Sequence, residues 1–412
     1  MGARCHDGQC RTWGLAAYDA TATTPPRYRV WDGSNLSAEV DLPPTSTDVA
    51  WVVLRSSPRG NEAVLGALDD DGNLTVHTWN GASWGETWSA ALGSIVGGPR
   101  SNTRRFDLAF EATTGDALVV FADVTPTFKY RRRTQGRWDE VDQLADVALD
   151  DVGLWVRAEP RPGTNDVMVA VLTGASGNAL HALRWNGVDE WKSRIETAAR
   201  PVGSSTPCFD LVAESATGNV MLLWGAAGST LHSRVFSASW GAETTAYTLP
   251  SKALWVTAAS DPTPGSRNVA VGVITADAYV ERGVWDGTAW LARPAAVPVR
   301  AHDVRGVDVA FAGTTGRAVF AYNELATPTQ VTTATWTAAE GHGNPVLLPP
   351  ADGDILFVQL RADWQTNDIM LLSSDTSSGL TQRCWRQGTW SDGTVTADGT
   401  VSRVSEPFMF CW

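Results

Sequence analysis

The sequence predicts an all-β fold: one eight-bladed β-propeller, four strands to a blade, closed by its C-terminal strand. Three observations carry this expectation. A hairpin written W-[ND]-G, with a second W after two or three further residues, recurs along the 412 residues, as in "HTWNGASW" (His77–Trp84), "LRWNGVDEW" (Leu183–Trp191) and "GVWDGTAW" (Gly283–Trp290). Its spacing is about 48 to 54 residues, and a fixed period in that range with strand-like segments is the signature of propeller blades. Helical periodicity over a dozen residues appears nowhere.

The first aromatic of each hairpin sets the ruler. It falls at Trp31, Trp79, Trp185, Trp285, Trp336 and Trp385, with Phe236 and the stretch around Arg133 filling the two double gaps. Eight units result. Each opens with an apolar run such as Ala50–Leu54, followed by a second such as Glu62–Leu68. A third ends at the first Trp, as in Leu74–Trp79, and a fourth begins near the second Trp. The first two runs are almost wholly apolar, as expected for inner strands covered on both faces. Asn-Gly or Asp-Gly in the hairpin is expected to supply positive φ values for a tight turn, and the flanking Trp side chains to pack across it and between blades.

The units alternate. One type opens at Trp51, Trp155, Trp255 and Phe357 and carries a long loop between strands one and two. The other opens at Phe106, Phe209 and Val307 with a short Thr-Gly turn, as in "RFDLAFEATTGDALVVF" (Arg105–Phe121). Four copies of a two-blade unit follow. The fourth copy of the second type is split. "DGQCRTWGLAAYD" (Asp7–Asp19) matches its second strand and "PFMFCW" (Pro407–Trp412) its first. The chain is therefore expected to be a single domain, 1–412, with blade 1 divided between about 1–45 and 405–412. Pairing of the two ends removes free sheet edges.

That alignment sets Cys411 opposite Cys10, close enough for a disulfide, with Cys5–Cys10 as the competing local pair. Cys208 and Cys384 fall in inner or third strands and are expected as inert core thiols. The opening "MGARCHDGQC" has no charged head followed by an apolar stretch and is not expected to act as a secretory signal. A closing disulfide nonetheless favours an oxidising compartment, and the expected location is extracellular or at the cell surface.

Composition narrows the function. Charged residues are 19% and hydrophobic residues 43%, an ordinary globular balance. Net charge is −13, with a pI near 4.9, which argues against nucleic acid or an anionic membrane as partner. No apolar run approaches the roughly 20 residues that span a bilayer. "YRRRTQGR" (Tyr130–Arg137), the one basic cluster, is expected as a solvated strand edge. Serine-hydrolase, phosphate-loop and zinc-protease motifs are absent. His181 and His232 occupy matching strand positions and are expected to pack rather than to hold metal. "LDDDGNLTV" (Leu68–Val76) resembles a calcium loop but lacks the distal acid, so it reads as an acidic turn. Asp107, Asp210 and Asp308 recur at one position of strand one, with Met409 there in blade 1. They are expected to accept backbone hydrogen bonds and fix blade spacing, or else to form an ion ring.

The two-blade unit resembles the tandem, mostly uncharacterised β-propeller repeats of large bacterial surface or secreted proteins, over essentially the whole chain. The hairpin turn resembles a degenerate Asp-box, the S-x-D-x-G-x-T-W turn of sialidase-like propellers, without its leading Ser-x-Asp. Neither resemblance implies a catalytic residue here.

These readings lead to a non-enzymatic extracellular binding or adhesion module that takes a glycan or a protein surface and needs no cofactor. The alternatives are a structural subunit or spacer of a self-assembling surface layer or filament, and a propeller-type glycosidase or lyase with clustered carboxylates. Ligand contacts are expected where the repeats diverge, in the connections between strands two and three. Asp69, Asp70, Asp71 and Asn73 represent blade 2, Phe128 and Lys129 blade 3, and Asp277 and Tyr279 blade 6, with blade 1 adding Asp19 to Arg27.

Overall fold

The computed structural model describes residues 4–6, 9–11, 14–19, 25–93, 103–174, 178–203, 205–300, 302–363, 366–397, 401 and 405–412. It is an eight-bladed β-propeller, each blade a meander of antiparallel strands, with no α-helix among the described residues. The chain divides into two compact units, residues 1–196 with 400–412, and residues 197–399. The first unit holds blades 1 to 4 and the second holds blades 5 to 8.

Blade 2 shows the pattern in the first unit: Val49–Ser56, Ala63–Asp69, Asn73–Trp79 and Trp84–Ala91 pair in that order. Its second strand is buried along its whole length, while its fourth alternates toward solvent. Blade 1 is closed as the repeat requires, by Phe408–Cys411 pairing with Gly14–Tyr18. In blades 3, 7 and 8 the outer strand is broken into two pieces that both pair with the third strand. In the second unit the first strands of blades 5 and 7, Phe209–Ala213 and Val307–Phe311, are fully buried.

The recurring aspartates have a single structural job. Asp107 Oδ2 accepts the N–H of Ala158 (3.0 Å), Asp210 Oδ2 that of Ala258 (2.9 Å), and Asp308 Oδ2 that of Leu360 (2.9 Å). The other oxygen of each accepts the N–H of the next residue in its own strand. At the matching place in blade 1, Met409 Sδ accepts the N–H of Leu54 (3.1 Å). Each link joins the inner strand of one blade to that of the next, within a two-blade repeat. These edges cannot pair as a sheet, so a side-chain acceptor satisfies an inner-strand N–H that would otherwise be buried without a partner. The expectation that these residues fix blade spacing therefore matches the geometry.

The termini depart from the expected alignment. Leu15, not Cys10, lies opposite Cys411, and Gly14 takes the place that Ala117 holds in blade 3. The expected match was four residues out of step because Cys10 was aligned with Ala117 across the Trp13–Gly14 segment. Gly14 allows the closing strand to approach, since a Cβ there would lie 2.3 Å from the Phe410 ring. Cys411 is a buried thiol, which corrects the expected Cys10–Cys411 bond. A short hairpin, Arg4–His6 with Gln9–Arg11, sets Cys5 and Cys10 as Cα partners instead. Non-reducing peptide mapping is expected to recover Cys5 linked to Cys10 and no peptide linked through Cys411. Recovery of a Cys411 cross-link would contradict this register.

The repeated turn also differs in detail. Gly81, Gly187 and Gly287 have positive φ, but Asn80, Asn186 and Asp286 do not. Those three act through their side chains. Asn80 Oδ1 accepts the N–H groups of Ala82 (3.0 Å) and Ser83 (2.9 Å), and Asp286 Oδ1 those of Thr288 (2.7 Å) and Ala289 (2.8 Å). This is an Asx cap over a four-residue turn, a local bond that Asn and Asp make readily. The Thr288 hydroxyl and these N–H groups hold the Asp286 carboxyl below the usual carboxylate range.

Candidate functional site

The second-to-third-strand connections are occupied with their own closure. In blade 2, Asp69 is buried. Its Oδ1 accepts the N–H of Asn73 (2.7 Å) and its Oδ2 the Asn73 side-chain amide (3.1 Å). Thr173, Thr275 and Asp375 stand at the same register in blades 4, 6 and 8, and each bonds across its own turn. Asp277 Oδ1 accepts the Thr275 hydroxyl (2.6 Å), and the N–H of Tyr279 donates to Thr275 Oγ1 (3.3 Å). Lys129 pairs with Asp123 at 2.8 Å. Asp70, Asp71 and Asp277 present exposed carboxylates at these turns. Phe128 is a correction: it is fully buried, 4.9 Å from the Trp191 ring, because it stands inside the third strand, Thr127–Thr134, and not on the connection. In blade 1, residues 20–24 of the expected stretch lie outside the described residues.

The basic cluster is solvated over residues 134–137, while Arg131 and Arg132 are half-buried and Arg133 is buried. Arg131 pairs with Asp142, Arg132 with Asp139 (3.4 Å) and Arg133 with Glu62 (2.7 Å). Arg131 also lies over the Trp88 ring (4.4 Å) and Arg132 over Trp185 (5.6 Å). Such stacked, paired guanidinium groups are structural contacts between neighbouring blades. His181 Nε2 meets Asp150 (2.8 Å) and His232 Nδ1 meets Glu243 (3.2 Å), so both histidines have carboxylate partners. No cluster of three metal-ligating side chains occurs among the described residues.

The other end of the blades, where the long first-to-second-strand loops meet the Trp hairpins, carries aromatic clusters that repeat. Tyr28, Trp79 and Trp84 lie 5.4 to 5.8 Å apart between blades 1 and 2. Tyr130, Trp185 and Trp191 lie 5.2 to 5.4 Å apart between blades 3 and 4. In the second unit, Trp290 lies 5.3 Å from Tyr247 and 5.7 Å from Trp285. In blades 2 and 4 the first Trp of the hairpin is buried, and in blades 2, 4 and 6 the second is partly exposed.

Between blades 1 and 2 one of these clusters borders a small, partly open groove whose enclosed volume is about 20 Å³. Gly14, Leu15, Cys411 and Trp412 line it from blade 1, and Ser56, Asn61, Glu62 and Trp79 from blade 2. Its lining is mostly apolar with a few polar groups. Trp79 is 2% exposed, and its Nε1–H has no acceptor among the described residues. The corresponding Trp185 of blade 4 is different: its Nε1–H donates to Glu111 Oε1 at 3.1 Å. By register Cys411 stands where Ala109 stands in blade 3, and Trp412 therefore where Phe110 stands. Sequence reasoning missed this groove because its residues are far apart in the chain.

No family model and no curated protein matches the chain. Among solved structures it is similar to the BP39L lectin from Burkholderia pseudomallei, with a TM-score of 0.60 and 14% identity over 85% of this chain and 100% of that one. AofleA from Arthrobotrys oligospora matches at a TM-score of 0.44 and 11% identity, over 100% of this chain and 95% of that one. The fucose-specific lectin from Aleuria aurantia matches at 0.42 and 15%, over 72% and 97%. At these identities the BP39L likeness is one of fold.

Proposed function

We propose that the protein is a non-enzymatic, glycan-binding propeller module and that the groove between blades 1 and 2 takes a sugar unit. The unpartnered Trp79 Nε1–H beside Trp412 carries this reading. A sugar offers hydroxyl oxygens to such a donor and an apolar C–H face to an indole. A buried donor left unmade costs roughly 1–3 kcal/mol, so an acceptor that enters the groove recovers a sizeable term. Asn61 and Glu62 add polar groups at the rim, and the fold shared with a structure described as a lectin supports the same reading. An extracellular or surface setting belongs to the proposal as a secondary element, and Asp69, Asp71, Asn73, Lys129, Asp277 and Tyr279 stand as the alternative location of the ligand contacts.

Titration of intrinsic tryptophan fluorescence with a panel of neutral mono- and disaccharides tests it. Binding is expected, with Trp412→Ala and Asn61→Ala weakening it by about tenfold or more, the size of one lost buried polar or aromatic contact. Asp71→Ala and Asp277→Ala, at the opposite ends of their blades, are expected to change it by less than about twofold. The reverse ranking would move the site to the second-to-third-strand connections. No saccharide response at all would remove the glycan reading.

A further inference from the structure

In the second unit, the interface between blades 6 and 7 holds buried donors without acceptors. Arg282 is 4% exposed, and its Nε and Nη1 have no partner among the described residues. The guanidinium lies 5.2 Å from the centre of the Tyr322 ring, and the Tyr322 hydroxyl is likewise buried and unpartnered. Phe320 is two residues from Tyr322 and so on the same strand face, and the His342 ring is 6.1 Å from it with neither nitrogen bonded. Burial, and then the charge of Arg282, hold His342 down at about 4, so its ring is neutral near pH 7 and offers one N–H. Glu281 is turned to Arg293 (2.6 Å), and Glu324, whose charge Tyr322 feels, makes no ion pair with Arg282.

The internal repeat shows what is missing. In blades 1, 3 and 5 the third strand carries an arginine at one register position: Arg29, Arg131 and Arg234. The outer strand carries a carboxylate at its matching position: Glu39, Asp142 and Glu243. In blade 1, Arg29 and Glu39 meet around the Tyr18 hydroxyl, which stands where Tyr322 stands in blade 7. In blade 3, Arg131 and Asp142 pair directly. Blade 7 has Ala334 and Pro345 at these two positions. Its guanidinium comes instead from Arg282 of blade 6, at a position that is Val76, Ala182 and Gln382 in the other long-loop blades. The cation has been restored and the carboxylate has not.

We propose that this interface binds a carboxylate supplied by a ligand, with Arg282, the Tyr322 hydroxyl and His342 as its donors. Resting on the glycan reading, the carrier is an acidic sugar of the uronic acid class. A buried guanidinium requires an anionic partner, and its planar fork matches a carboxylate.

Isothermal titration at pH 7 with glucuronate, acetate and glucose tests it, on the wild type, Arg282→Gln and Tyr322→Phe. Glucuronate is expected to bind the wild type and acetate to compete with it. Arg282→Gln is expected to weaken glucuronate about tenfold or more and Tyr322→Phe a few-fold, with neutral-sugar binding in the blade 1–2 groove unchanged. The melting temperature of Arg282→Gln is expected to be no lower than that of the wild type, since an unpaired buried charge is removed. Absence of glucuronate and acetate binding, or binding unaltered in Arg282→Gln, overturns the site. Acetate binding without any sugar binding keeps the carboxylate site and sinks the glycan reading. Neutral sugars binding without glucuronate does the opposite.

Discussion

Asp107→Ala is expected to lower folding stability by about 3–5 kcal/mol, the range for removing one partner of a buried ion cluster. The cluster is unequal from the start. Arg55 and Arg157 reach Asp107 at 3.4 Å and Arg104 at 3.6 Å, and Asp107 also accepts the Ala158 N–H that links blades 3 and 4. Without the carboxylate, three guanidinium groups and an inner-strand N–H lose their shared acceptor. Urea denaturation at pH 7 measures the loss. Asp210→Ala removes a similar backbone link, to Ala258. A loss at Asp107 below about 1 kcal/mol would show that the inter-blade link is incidental.

The same site fixes a pH dependence. Burial alone would raise the Asp107 pKa, but Arg55, Arg104 and Arg157, with the Ala158 N–H, outweigh it and hold the carboxyl below its ordinary range. Asp308 is held down in the same way by Arg305 and Arg361. A folded-state pKa below the unfolded value of about 3.9 means that the stabilisation is present above that pH and is lost as pH falls through the folded value. Stability is therefore expected to drop with acid below about pH 4, and Asp107→Asn to flatten part of that slope.

The second large effect concerns the hairpin tryptophans. Trp185→Ala is expected to cost about 3–5 kcal/mol, as for other large-to-small core changes. It removes a fully buried indole packed on Tyr130 and Trp191, and it leaves the buried Glu111 carboxylate without one of its two donors. Trp191→Ala, the partly exposed partner in the same turn, is expected to cost only about 1 kcal/mol, the size of an aromatic pair. Thermal unfolding of the two variants gives the ranking, and equal losses would contradict the division between a buried first Trp and a partly exposed second Trp.

Legibility from the sequence followed the repeat. Blade number, strand order and the role of Asp107, Asp210 and Asp308 could be read because each recurs, and a recurring polar residue inside an apolar strand demands a recurring acceptor or donor. Departures from the repeat were read less well. The terminal strand slipped by four residues because a cysteine was aligned in place of the glycine that the closing strand requires. Phe128 was placed on a loop because strand boundaries vary between blades. The candidate site was hardly visible. Trp79, Trp412 and Asn61 meet only through ring closure, and Arg282 replaces a blade 7 arginine from the neighbouring blade, which linear alignment of repeats hides.

The indole N–H region of a two-dimensional ¹H–¹⁵N spectrum, recorded during glycan titration, tests the binding claim most directly. Trp79→Phe and Trp185→Phe assign the two signals that matter. The Trp79 Nε1–H resonance is expected to shift progressively as a sugar hydroxyl takes the place of its missing acceptor, while Trp185 Nε1–H, already bonded to Glu111, stays within its line width. A glycan that binds while Trp79 Nε1–H remains unmoved would contradict the assignment of the groove between blades 1 and 2.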